Sequence, residues 1–141
     1  MSPISTEPFE YAVITVVPRV ERGESINAGV ILYSHRHHYL DCRVHLDTGR
    51  LRALDPTADP DAVAAGLAVI EEACRAAGLA TQAARDRSGD AAAAPAAQSR
   101  GARFRWLTAP RSTIVQPGPV HSGLTADPAA ELEHLFDKLV R

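Results

Sequence analysis

The chain has 141 residues, a hydrophobic share of 45% and a net charge of −2. That is enough for one domain around one core, so residues 1–141 are expected to form a single domain. The balance of charge excludes a general attraction to nucleic acid or anionic membrane, and no run approaches the ~20 apolar residues of a membrane span.

Met1 to Glu10 lacks a basic stretch followed by an apolar run, so no signal peptide is expected and a cytoplasmic location follows. Tyr11–Val17 is a continuous apolar, β-branched run stopped by Pro18, as in a strand buried on both faces. The charged turn Arg19–Glu24 leads to a second strand, Ser25–Tyr33. Strict alternation puts Ile26, Ala28, Val30 and Leu32 on one face and Asn27, Gly29, Ile31 and Tyr33 on the other. Asn27 and Gly29 are unusual inside such a strand and mark either a bulge or an edge that faces a ligand. A third strand, Tyr39–Leu46, points Leu40, Cys42, Val44 and Leu46 inward. Short polar loops make these three an antiparallel meander.

Thr57-Ala58-Asp59-Pro60 caps a helix whose apolar stripe is Val63, Leu67, Ile70 and Cys74, with Gly78 as its expected stop. The same four residue types return at Thr125–Pro128 and open a helix with Leu132, Leu135, Phe136 and Leu139 as its stripe. Between the two, Ala80–Arg103 holds no large apolar side chain and is expected to be a flexible, Ala-rich insertion. Phe104–Leu107 and Ser112–Gln116 read as further strands. The fold class expected is α+β: an antiparallel sheet of four to five strands with two helices packed on one face.

Chemistry-bearing motifs are sparse. His35, His37 and His38 share a turn with Arg36 and lack the converging ligands of a metal site, so no metal or other cofactor is expected. Cys42 and Cys74 fall at inward positions and are expected to be buried free thiols. There is no nucleophile elbow and no phosphate-binding glycine loop. The exception is Phe104–Gly123, which carries the only Trp, two Arg, Ser112, Thr113, Gln116 and His121, and no acid. Arginine with hydroxyls and backbone N–H groups suits an anion or an acidic protein segment.

Tyr11-Ala12-Val13-Ile14 with Val17-Pro18-Arg19, then Arg22-Gly23-Glu24 and Asn27–Tyr33, resembles the opening signature of the bacterial family catalogued as domain of unknown function 3037. Phe104–Leu107, Pro110–Thr113, Gln116 and His121-Ser122-Gly123 are similar to its second signature. The resemblance implies no activity. It suggests a partner, a HipA-like kinase-fold protein. Both signatures fall where polar chemistry is excessive for folding alone. The expected site therefore joins Arg19, Glu21, Arg22, Glu24 and Asn27 to Arg105, Trp106, Arg111, Ser112, Thr113, Gln116 and His121. The expected function is that of a non-enzymatic accessory or binding protein for a protein partner or an anionic ligand. The alternative is an enzyme on phosphorylated or nucleic-acid substrates, using Glu21, Glu24, Arg111 and His121.

Overall fold

The computed structural model describes residues 5–88, 99–111 and 113–141, with residues 78–88 described through their backbone only. Five strands, β1 (Glu7–Val16), β2 (Ile26–Ser34), β3 (Tyr39–Val44), β4 (Val115–Pro117) and β5 (His121–Thr125), form one antiparallel sheet. Its order is β3-β2-β1-β4, and β5 also pairs with β1. The helices are α1 (Thr48–Leu54), α2 (Pro60–Ser88), α3 (Arg100–Leu107) and α4 (Pro128–Leu139).

The class is the expected α+β, but the helices cover both faces of the sheet rather than one. Ala12, Ile14, Ile31 and Cys42 pack with Leu51 of α1, Val63 and Leu67 of α2 and Phe104 of α3. Val30 and Leu32 pack with Leu132, Leu135 and Phe136 of α4 on the other side. The cause lies in β2, which is apolar on both faces and leaves neither fit for water.

The expected alternation in β2 also breaks. Ile14 pairs with Gly29 but Thr15 pairs with Asn27, so Ala28 is an extra, bulged residue. The bulge shifts the phase. Ala28 and Ile31 share one core while Val30 and Leu32 belong to the other. Of the two readings of Asn27 and Gly29, the bulge is the one realised.

Asp59 and Asp127 cap α2 and α4 as their motifs require, accepting from backbone N–H groups of Asp61, Ala62 and Ala130. Gly78 does not stop α2, which runs on to Ser88. The segment expected as an insertion is thus helical at its start, and at its end Ser99 caps α3; residues 89–98 lie outside the described residues. Phe104–Leu107 is helical, not a strand, because that cap begins a turn in which Phe104 and Leu107 fall on one face at i and i+3. Of the strand expected over Ser112–Gln116 only Val115–Pro117 forms. Both thiols are buried and free. The neighbouring Cys74 thiol and burial push the Cys42 thiol well above its usual range.

Candidate functional site

Helix α3 is pressed onto the sheet by Phe104, fully buried and stacked on Tyr33 with ring centroids 5.4 Å apart. Gly101 permits this approach, since a Cβ there would lie 2.8 Å from the Tyr33 hydroxyl oxygen. A helix anchored by its 104/107 face turns Arg105 and Trp106 to solvent, and Trp106 is 52% exposed. The Arg103 and Arg111 guanidinium carbons stand 5.4 and 5.0 Å from the Trp106 ring centroid, within cation–π range. Arg111 also donates from Nη2 to the Trp106 carbonyl at 2.8 Å. The chain turns back after α3 through Thr108, whose hydroxyl donates to the Phe104 carbonyl at 2.8 Å, and through Pro110.

Beside this stack lies a cavity of about 550 Å³, between Thr108, Pro110 and Arg111 on one side and the Gln116–Val120 stretch on the other. Its second wall is hung from β1. The Thr15 hydroxyl donates to the Gln116 carbonyl at 3.2 Å, and the Gly118 N–H donates to the Val13 carbonyl at 2.7 Å. Arg111 is the charged residue of the lining, and no ion pair joins it to a carboxylate among the described residues. A held guanidinium, an amide and apolar walls can take one negative charge together with apolar bulk.

The other expected site residues do not gather here. Arg105 forms a two-bonded pair with Glu10, Nη2 to Oε1 at 2.8 Å and Nη1 to Oε2. Arg19 reaches Asp55 at 3.5 Å, Arg22 pairs with Glu24 at 2.5 Å, and Glu21 is exposed in the same turn. The Asp55 carboxyl is held below its ordinary range by hydrogen bonds from the Thr57 hydroxyl and N–H and by Arg19. Asn27 donates to the Leu139 carbonyl at 2.9 Å and so closes the end of α4. The Thr113 hydroxyl donates to the Val115 carbonyl at 2.7 Å. His121 lies opposite Tyr11 in the sheet, its ring 5.3 Å away. Ser112 falls outside the described residues.

Glu10 and Val17 sit seven residues apart along β1 and its extension, about 23 Å at strand rise. The Arg19–Glu24 turn and the Arg105 pair are therefore at opposite ends of the sheet. Trp106, Arg111 and Gln116 are brought together; the two signature segments do not meet as one site. Glu21 and Glu24 are likewise remote from His121, so the four residues of the enzyme alternative form no acid–base pair. His35 meets the Tyr33 hydroxyl at 3.3 Å and His37 the Thr125 carbonyl at 2.9 Å. Among the described residues no group of three or more His, Cys, Asp or Glu is placed to hold a metal ion. No helix among them is long and apolar enough to cross a membrane.

Glu10 escaped the sequence reading because it precedes the apolar run. It lies 95 residues from Arg105, so no local pattern links the two. The hydrogen bond from Arg105 holds the Glu10 carboxyl below its ordinary 4.5. A carboxyl depressed in the folded state stabilises fully above its unfolded pKa and loses that contribution as pH falls through the folded value. Arg105→Ala is therefore expected to shrink the difference in thermal midpoint between pH 7 and pH 3. An unchanged difference would remove Glu10 from the acid response.

A family model described as protein of unknown function (DUF3037) matches residues 11–140. No curated protein and no solved structure matches the chain.

Proposed function

The chain belongs to the family of proteins of unknown function DUF3037, and from that premise we propose that it is a binding or accessory protein that captures an anionic group at Arg111 beside Trp106. The observation that carries this reading is the held guanidinium. Arg111 is fixed by the Trp106 carbonyl and ring, faces a cavity and has no described carboxylate to neutralise it. An arginine needed only for solubility has no reason to be ordered twice, because ordering a long side chain costs entropy. A protein partner and a small anion both fit this chemistry. The HipA-like kinase-fold protein suggested by the resemblance is one such partner.

Trp106 is the only tryptophan, so its emission reports on the site. Titration with inorganic pyrophosphate and with poly-glutamate is expected to change that emission saturably for at least one of them. Arg111→Ala should weaken the effect by about 1.5–3 kcal/mol, the range for a lost charge-assisted hydrogen bond. Arg111→Lys should restore only part, since the planar fork is gone. Absence of a saturable response to both probes, or equal responses from the parent and Arg111→Ala, would refute the assignment.

A further inference from the structure

We infer that the Arg111 cavity is the docking site for a short segment of a partner protein, one that carries a carboxylate next to a large apolar side chain. This rests on the anion-capture reading above and names its partner. Three exposed large apolar residues fall in this one stretch: Trp106 at 52%, Ile114 at 46% and Val120 at 42%. Val120 and Arg111 line the same cavity, and Arg111 lies on the Trp106 ring. Tryptophan and arginine are the side chains most enriched among residues that dominate binding between proteins. A free phosphate calls for several convergent donors. Here the lining offers one cation among the described residues, and that cation already spends one Nη on the Trp106 carbonyl. One carboxylate matches one partly committed guanidinium, and an adjacent apolar side chain matches the Pro117, Pro119 and Val120 wall.

Charge points the same way. From residue 91 to residue 126 the chain has no Asp or Glu, while Arg103 and Arg111 both lie over the Trp106 ring; Arg105 is paired with Glu10. The protein as a whole is negative, so a stretch that carries arginine and no acid is suited to meeting an acidic segment. The partner does not add as a further strand. Pro117 and Pro119 interrupt the outer edge formed by β4 and β5, and proline has no N–H to offer a new strand. Recognition is through side chains entering the cavity.

The test is selection of an unbiased displayed peptide library on the full chain, with Arg111→Ala and Val120→Asp as comparison variants checked for fold by circular dichroism. Enriched peptides should share Asp or Glu beside a Leu, Phe or Trp. Their affinity should fall roughly tenfold or more on each substitution, as for a residue central to an interface. No enrichment, enrichment without the acidic–apolar pairing, or binding indifferent to both substitutions overturns the docking site. If pyrophosphate or poly-glutamate still perturbs Trp106 through Arg111 in that event, anion capture stands and only the partner class falls. If neither does, both fall.

Discussion

Phe104→Ala should lower stability by about 3–5 kcal/mol, the range for removing a buried aromatic side chain. Trp106→Ala, two residues on, should stay within about 1 kcal/mol of the parent. Phe104 is fully buried and stacked on Tyr33, whereas Trp106 is half exposed with the Arg103 and Arg111 guanidinium groups over its ring. In a chain of this size the first loss corresponds to a thermal midpoint lower by on the order of 10–20 °C. On a strand, residues 104 and 106 would share a face and both would cost alike. Equal losses would therefore contradict the helix, and with it the outward placement of Trp106 on which the site depends.

Gly29→Ala and Gly66→Ala should move stability in opposite directions. A Cβ at Gly29 would lie 2.8 Å from the Arg43 carbonyl oxygen and 3.0 Å from Val44 Cγ1. Gly29 is paired with Ile14 on one side and Val44 on the other, so the neighbouring backbone cannot simply swing away. Overfilling of this kind costs about 1–3 kcal/mol. Gly66 lies inside α2, and its added methyl would meet Val115 Cγ2 at an ordinary 3.4 Å. There the usual helical advantage of Ala over Gly, about 0.8–1 kcal/mol, should appear as a gain. Denaturant midpoints of both variants decide the matter. A Gly29→Ala protein as stable as the parent would mean that β2 and β3 are not so closely paired at this point.

What was legible in the sequence followed from long, redundant patterns. Tyr11–Val17, Tyr39–Leu46 and the two Thr-Ala-Asp-Pro caps each carry several agreeing signals, and each became the expected element. Short or compensating patterns misled. Four residues, Phe104–Leu107, cannot distinguish a period of two from one of 3.6, and the cap that settles the question, Ser99, lay in a stretch with no large apolar residue. Helix α1 has a single buried residue, Leu51, and so no stripe to read. The two covered faces were hidden because the Ala28 bulge moves Val30 and Leu32 to the side opposite Ala28. At the site, residue types that suit recognition were visible in Trp106, Arg111 and Gln116. Which of them share a cavity depends on pairings with β1 more than ninety residues away in sequence, and periodicity carries no information about those.

The pairing of β1 has a kinetic consequence. Its contacts with β2 close a short turn, but Val16 meets Val115 and Tyr11 meets His121 only after a loop of roughly 100 residues has been closed, at a correspondingly larger entropic cost. The β1–β2–β3 meander can therefore assemble early, while the β4–β5 lane joins late and is the first part of the sheet free to detach. The Gln116–Val120 wall of the cavity rides on that lane. Transient detachment would erase the cavity while the meander stayed intact. Occupancy by a ligand would, by the same linkage, slow amide exchange in β4 and β5 before it altered any other strand.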